Sequence, residues 1–164
     1  MKRRILMMIV SALLVASMLI APMSASAASK KTVQILQVTV DGARLRKGPS
    51  SSYDVVTSVK NGGKVFYLGK EKSSFYYVRT DHGAQGYMYK GFLKSYGACY
   101  KDQVYYVTKK TKAYKKASTH SSSKATLTKG QHVIVYQVKG NWAYIKTLGG
   151  TGGYVKKNVL KKAK

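Results

Sequence analysis

The chain has 164 residues, of which 30 are Lys or Arg and five are Asp or Glu, so its formal net charge is +25. This length holds one ordinary domain or two small ones, and it excludes a large multidomain enzyme. An apolar content of 45% with 14 Tyr favours a folded chain over a disordered one. The single Cys excludes both an intramolecular disulfide framework and a Cys-based zinc cluster within one chain.

The first segment of the chain, residues 1–27, is predicted to be a secretory signal peptide. It has a basic start at Lys2–Arg4, an apolar run at Ile5–Ile20 and the small residues of a cleavage site at Ala25–Ala27. A membrane anchor is the alternative, but this run is shorter than the roughly 20 residues that span a bilayer. Cleavage after Ala27 leaves 27 basic residues against five acids, a formal charge of +22, and no further transmembrane segment.

The rest of the chain is a degenerate tandem repeat with an offset of 67 or 68 residues. For example, Phe75–Val78 falls on Trp142–Ile145, and Gly86–Met88 falls on Gly153–Val155. Within each copy, short apolar runs with a period near two are broken by Gly and Asn, which is typical of short strands in small barrels or sandwiches. Lys139–Asn141 is predicted to be a tight hairpin turn.

This repeat predicts an all-β protein with a first domain at 28–94, a polar linker at 95–103 and a second domain at 104–164. A unit of about 60 residues buries little core, so most aromatic rings are expected to serve partly as core. Cys99 falls within the predicted linker. There we favour an incidental small residue over a functional free thiol or an intermolecular disulfide.

The first copy resembles a bacterial SH3-like (SH3b) domain. Ala43–Ser50 is similar to the family signature Leu-x-Val-Arg-x-Gly-Pro-Ser, and Gly86–Met88 with Phe92-Leu93 is similar to its closing Gly-Trp-Val…Tyr-Leu. At Ala113–Ser118 the second copy lacks the Arg, Gly and Pro of the signature, so it resembles a diverged copy. The resemblance implies two tandem small SH3-like β-barrels. It also implies attachment to the bacterial cell wall, a role that the family often performs beside a hydrolase domain.

The candidate contact residues are one arginine and a set of aromatic rings. Tyrosine is too frequent for two small cores to hide, and amphipathic rings on a surface make good contact residues. Arg46 either supplies a planar fork for a carboxylate or phosphate or is paired internally. The size of Trp142 favours a core position, but it remains a candidate. The predicted ligand-binding residues are Arg46, Tyr53, Tyr76, Tyr87, Tyr89, Tyr114, Trp142, Tyr144 and Tyr154.

The distribution of charge indicates an anionic partner. All five acidic residues precede position 103, while lysine pairs such as Lys115-Lys116 and Lys161-Lys162 crowd the second half. Solubility alone is the alternative explanation. We favour an anionic partner because uncompensated positive charge works against the compact state by self-repulsion.

The sequence gives little support to catalysis. Cys99 has no motif that would place it beside a His, five scattered acids are a poor source of paired carboxylates, and the three His have no metal-ligand spacing. The Gly-rich segment 149–153 is not followed by the Lys-Ser/Thr of a phosphate loop. We therefore expect no enzymatic activity, no catalytic or metal-binding residues and no cofactor.

The leading hypothesis is a secreted, non-catalytic protein that binds the cell wall of a Gram-positive bacterium through peptidoglycan or anionic wall polymers such as teichoic acids. The alternative is a protein-interaction module that recognises a peptide or a partner hydrolase through an aromatic groove. A third option, non-specific binding of nucleic acid, ranks last because no nucleic-acid-binding motif is present.

Overall fold

The computed structural model describes residues 30–164, and within them the chain is built from strands and three short 3-10 helices. The predicted signal peptide at 1–27 lies outside the described residues. In the described part of the chain, the structure has no helix long and apolar enough to cross a membrane.

Seven strands form the first unit, in the spatial order β3-β2-β6-β5-β4-β1-β7, and all neighbours that pair are antiparallel. A 3-10 helix at Lys90–Phe92 precedes its last strand. The strands are β1 (Thr32–Val38), β2 (Ala43–Arg46), β3 (Val55–Val59), β4 (Lys64–Lys72), β5 (Phe75–Thr80), β6 (Gln85–Tyr89) and β7 (Leu93–Tyr100).

Seven further strands form the second unit, in the order β10-β9-β13-β12-β11-β8-β14, which repeats the first order strand for strand. A 3-10 helix at Lys157–Val159 again precedes the last strand. The strands are β8 (Val104–Val107), β9 (Thr111–Tyr114), β10 (Ser123–Leu127), β11 (His132–Lys139), β12 (Trp142–Thr147), β13 (Gly152–Lys156) and β14 (Leu160–Lys162). The prediction of an all-β chain with two small SH3-like units is confirmed.

Equivalent hydrogen bonds close both units. In the first, the backbone and hydroxyl of Thr39 both donate to the carbonyl of Phe92, at 2.9 and 3.1 Å. In the second, Thr108 donates twice to the carbonyl of Val159, at 2.9 and 3.1 Å. These bonds tie the end of the first strand to the 3-10 helix, so the duplication extends to the atoms that close each unit.

The inward side chains of the strands fill a separate small core in each unit. Alternate residues of a strand point to opposite faces, so the apolar residues of the inward face are buried. The first core contains Leu36, Val38, Ala43, Leu45, Val65, Val78 and Met88. The second contains Val107, Ala113, Leu127, Val133, Val135, Ala143, Ile145, Val155 and Val159.

The segment 95–103, predicted as a linker, is structured instead. Strand β7 continues to Tyr100 and pairs with β1 along its length, and a 3-10 helix at Lys101–Gln103 leads directly into β8. The prediction placed the end of the first unit at residue 94 because Ser95–Gln103 is short and polar. Pairing with β1 provides hydrogen-bond partners for the backbone of this polar segment. A pattern of polar side chains does not reveal such backbone pairing.

A third apolar cluster joins the two units. Cys99 lies in it and is buried rather than being a linker residue. Beside the cluster, the backbone N–H of His132 donates to the carbonyl of Asp81 at 2.6 Å across the junction. The two units therefore share a buried interface. The cluster consists of Ile35, Phe66, Cys99, Val104, Ile134, Leu148 and Ala163.

Candidate functional site

Each unit presents aromatic rings on the outward side of the same pair of strands, and the second unit adds Tyr114 from β9. The inward positions Val78 of β5 and Met88 of β6 are fully buried. The residues that alternate with them along each strand therefore point outward. β12 and β13 repeat this alternation around Ile145 and Val155. We call Phe75, Tyr77, Tyr87 and Tyr89 the first aromatic face, and Tyr114, Trp142, Tyr144 and Tyr154 the second aromatic face.

Cross-strand pairing assembles the first aromatic face. Phe75 lies opposite Tyr89 with ring centroids 5.8 Å apart, and Tyr77 lies opposite Tyr87 with centroids 4.9 Å apart. The Tyr89 ring also meets Phe92 edge-on at 5.1 Å. Such contacts fix the orientation of rings that remain partly exposed.

A cavity of about 550 Å³ lies beside the first aromatic face. Its apolar wall includes Phe75, Tyr89 and Phe92, and its polar groups include Arg44 and Asp41. Asp41 also accepts a hydrogen bond from the backbone N–H of Asn61 at 3.2 Å. An apolar wall with few polar groups is the usual character of a pocket for an organic ligand or a peptide side chain.

Arg46, which lines this cavity, and Tyr53 stabilise the turn next to it. One guanidinium nitrogen of Arg46, Nη1, donates to the carbonyl of Tyr53 at 2.6 Å. The Tyr53 ring covers Gly48, where an added Cβ would lie 2.5 Å from the ring atoms. Arg46 is thus paired internally in part, and Tyr53, although 49% exposed, lies at the turn rather than on the first aromatic face.

The structure corrects the choice of Tyr76. This ring points to the inner side of β5, where it is half-buried against the core and packs on Tyr67 with centroids 4.8 Å apart. The outward rings of β5 are Phe75 and Tyr77, which the sequence prediction missed. The repeat could have revealed this orientation, because Tyr76 falls on Ala143. A small residue between the large residues of an alternating strand indicates a position that faces the core.

The second aromatic face has the same architecture with different chemistry. Tyr144 packs against Tyr154 at 5.1 Å, and Tyr114 meets Trp142 edge-on at 5.9 Å. A cavity of about 340 Å³ lies between these rings and lysine side chains. Trp142 is half-buried on the outward side, so the preference for a core position was wrong. The lysines that line this cavity are Lys115, Lys116 and Lys139.

Charge is distributed unequally between the two units. The ion pairs of the described residues all lie in the first unit, as Lys47–Asp54 at 2.9 Å, Lys90–Glu71 at 3.0 Å and, when the imidazole is protonated, His82–Asp81 at 3.7 Å. The hydrogen bond and charge of Lys47 lower the pKa of Asp54. The second unit has no carboxylate side chain after Asp102, so its lysines retain their full positive field.

Comparison with protein families identifies the first unit. Residues 41–94 match the family model of the bacterial SH3 domain. No curated protein matches the chain.

Several solved structures are similar to the chain over most of its length. NlpC2 and NlpC1 from Trichomonas vaginalis match 80% and 82% of it at 16% and 18% identity, each with a TM-score of 0.35. An NlpC/P60 family protein from Bacillus cereus ATCC 10987 matches 78% at 15% identity, with a TM-score of 0.34. The chain covers 48%, 48% and 56% of these proteins, which is about half of their length.

Proposed function

We propose that this chain, whose residues 41–94 form a bacterial SH3 domain, is a secreted, non-catalytic protein that binds the bacterial cell wall through its two aromatic faces. The observation that carries the proposal is the recurrence of outward rings at three equivalent positions of the two units, Phe75 and Trp142, Tyr77 and Tyr144, and Tyr87 and Tyr154. Rings that served only as core would point inward, as Tyr76 does. Rings kept outward twice, on the same strands, indicate a binding surface.

The chemistry of the faces suits a wall polymer made of sugars, peptides and anionic groups. The faces of Tyr and Trp rings provide flat apolar contact area for sugar rings, and Tyr hydroxyls bond to sugar or peptide groups. Lys115, Lys116 and Lys139 surround the second aromatic face and attract carboxylates or phosphates. The first aromatic face combines its rings with Arg44 and an apolar cavity. The two faces therefore offer different contacts to one polymer.

The shared junction cluster supports simultaneous use of both faces. Phe66 from the first unit and Ile134 from the second are buried together in this cluster. A buried interface limits how far the units rotate relative to each other, unlike a flexible linker. Two weak sites held in one orientation gain effective concentration on a repetitive polymer, provided that the spacing of the polymer fits.

The test is retention of the mature chain, residues 28–164, on purified wall sacculi with and without their phosphate-bearing polymers. We expect Tyr77→Ala/Tyr87→Ala and Tyr144→Ala/Tyr154→Ala each to weaken retention by about tenfold or more, as loss of a central aromatic contact does. The matched control is Tyr96→Ala/Tyr100→Ala.

This control also removes two exposed tyrosines, 57% and 44% exposed, but from β7, away from both faces. Circular dichroism would show that each variant is folded. Equal retention of all three variants, or a wild-type protein that stays in solution at low salt, would overturn the proposal. Release of soluble fragments from the sacculi would contradict the absence of catalysis.

A second candidate, recognition of a peptide or partner protein, is favoured by the cavity beside the first aromatic face. Its apolar wall of Val40, Ala43 and Phe92 suits an apolar peptide side chain better than a sugar. Added salt separates the two functions, because screening weakens attachment to a polyanion more than it weakens an apolar contact. Salt-resistant binding that is lost in Phe92→Ala but retained in Tyr144→Ala/Tyr154→Ala would support the second candidate.

A further inference from the structure

A third concave surface, distinct from both cavities described above, lies where the first unit meets the start and end of the second. Its volume is about 540 Å³, and β1, β4, β5 and β6 form its floor. None of the described residues that line it is Asp or Glu. We call it the basic cleft, after the five cations that line it: Lys31, Lys70, Arg79, Lys101 and Lys164.

Arg79 is the most enclosed of these cations. It is half-buried on the outward side of β5, and its Nε and Nη2 lie 3.1 Å from the side-chain oxygen of Gln85 when that amide is turned to accept from them. Burial lowers the pKa of Arg79 below its ordinary value. A partly desolvated guanidinium held by a neutral amide, with no Asp or Glu side chain among the described residues paired to it, retains a charge that an anion would stabilise.

Backbone contacts hold the lysines of the cleft together. The N–H of Lys101 donates to the carbonyl of Lys31 at 2.8 Å, which brings the start of β1 beside the 3-10 helix that begins the second unit. Like charges held this close repel one another and work against the compact state. A ligand with several negative charges would relieve that repulsion, whereas a single carboxylate would offset only one of the five cations.

The rings near the cleft leave little surface for stacking. The Tyr77 ring packs on Tyr87 at 4.9 Å, and the ammonium of Lys70 lies 5.5 Å from its centroid. The Tyr67 ring packs on Tyr76 at 4.8 Å. Single-stranded nucleic acids gain much of their affinity from bases stacked on exposed rings. The cleft therefore favours an anionic chain without bases.

From these observations we infer that the basic cleft binds consecutive phosphodiester groups of a polyol-phosphate polymer. Ammonium groups bind phosphate oxygens as point charges, and the remaining N–H groups of the Arg79 guanidinium donate to the same oxygens. The cleft adjoins the first aromatic face at Tyr77, but its cations are not members of either face, and no ring of the second aromatic face lines it. It adds a second mode of attachment to a protein that also contacts sugars and peptides.

The test is calorimetric titration of the mature chain with a short glycerol-phosphate oligomer. Lys31→Gln/Lys101→Gln removes two charges from the cleft, and we expect it to weaken binding by about tenfold. The matched control, Lys109→Gln/Lys110→Gln, removes two charges from exposed positions between β8 and β9. We expect the control to weaken binding by less than about twofold, because screening limits long-range attraction. Both pairs are exposed, and thermal melting would confirm that folding is unchanged.

Equal losses in the two variants would overturn the proposal, since only net charge would then matter. Absence of binding by the wild type would also overturn it. So would equally tight binding of a glutamate oligomer or a single-stranded oligodeoxynucleotide of the same charge. Arg79→Lys keeps the charge but loses the planar fork, and we expect an intermediate loss.

The proposed wall binding fails independently of this inference. Tyr144→Ala/Tyr154→Ala should bind the glycerol-phosphate oligomer normally while losing retention on sacculi stripped of phosphate polymers. Lys31→Gln/Lys101→Gln should show the reverse. Loss of both activities in either variant would show that the cleft and the faces are one site.

Discussion

The two units share one strand order but differ on their outward surfaces. The inward positions of both units hold apolar residues, for example Val65 in the first unit and Val133 in the second. Outward, the first unit combines ion pairs with an apolar cavity, whereas the second surrounds its rings with lysines. Packing density restricts the inner positions, while solvent-facing positions are free to change. The comparison indicates that the units keep a common scaffold and differ in the chemical groups that they present outward.

The signature turn shows how the second unit diverged without losing its fold. In the first unit the Tyr53 ring covers Gly48, which has no side chain to obstruct it. The equivalent positions in the second unit are Ser121 and Lys116, and the backbone N–H of Lys116 donates to the Ser121 hydroxyl at 3.1 Å. A ring packed on glycine has been replaced by a hydrogen bond. We expect the two changes to be coupled, because a Cβ at Gly48 would collide with the ring.

The largest effect is expected from breaking the junction that joins the units. Phe66 is 1% exposed in the shared cluster, and its replacement by Ala should lower the free energy of unfolding by about 4 kcal/mol. Burial raises the pKa of Cys99 in the same cluster to about 11, so the thiol of the native protein should react slowly at pH values near 8. In Phe66→Ala the rate of thiol modification should rise by more than about tenfold.

Leu45→Ala is the matched control for this variant. Leu45 is fully buried in the core of the first unit, away from the junction, so its loss should also cost about 3 kcal/mol. In Leu45→Ala, the thiol of Cys99 should become more reactive only under conditions that unfold the whole first unit. If Cys99 became equally reactive in both variants under native conditions, the junction would not open independently of the core of the first unit.

A smaller effect is expected from glycines that allow close strand approach. A Cβ at Gly86 would collide with the carbonyl oxygen of Arg46, and at the equivalent Gly153 it would lie 3.1 Å from the carbonyl oxygen of Tyr114. Gly86→Ala should cost about 3 kcal/mol because backbone must shift, and Gly153→Ala about 1 kcal/mol. Chemical denaturation, followed by Trp142 fluorescence and circular dichroism, measures both. A larger cost at Gly153 would show that the second unit is the more tightly packed of the two.

The scaffold was predictable from the sequence because its signals are local and repeated. The offset between Phe75–Val78 and Trp142–Ile145, with apolar alternation, was sufficient for an all-β chain of two similar units. The predicted turn at Lys139–Asn141 is also present, since β11 ends at Lys139, β12 begins at Trp142 and Gly140 has φ +55°. Glycine adopts this left-handed conformation without steric cost.

The junction and part of the candidate site were not predictable in the same way. Burial of Cys99 depends on the pairing of β7 with β1, a contact between residues more than sixty positions apart. Tyr76 and Tyr77 are chemically identical, and only the phase of the strand decides which ring points outward. The basic cleft combines Lys31, Arg79 and Lys101 from separate segments, so no sequence motif marks it.

A still smaller effect on stability is expected from giving the turn of the first unit the residues of the second. Gly48→Lys alone should destabilise by about 1 to 2 kcal/mol, because its Cβ would displace the partly exposed Tyr53 ring. Adding Tyr53→Ser removes the ring, so the double variant should be more stable than the sum of the single variants predicts. A double-mutant cycle by thermal denaturation measures the coupling. Additive effects would show that the two differences arose independently.

The smallest effect is expected from pH, at the first residue of β4 and of its counterpart β11. The first unit has Lys64 there, whose ammonium lies 4.3 Å from the centroid of the Tyr96 ring. The second has His132, which is 9% exposed between the rings of Phe66 and Tyr106. Its Nδ1 has no hydrogen-bond partner among the residues that the structure describes. A neutral imidazole suits this position, whereas a charged one does not.

Burial, with a smaller contribution from the charge of Arg79, lowers the pKa of His132 below its ordinary value of 6.5, although the carbonyls of Asp81 and Gly130 act in the opposite direction. As pH falls through 6.5, the unfolded chain takes up a proton before the folded one, so stability decreases until the folded pKa is also passed. His132→Phe keeps a ring at the junction and should remove this part of the pH dependence. The difference in melting temperature between wild type and variant, measured from pH 8 down to pH 5, isolates the effect from that of the exposed His82 and His120. A difference that does not change with pH would show that the pKa of His132 is the same in the folded and unfolded chain, and the lowering attributed to its burial would be wrong.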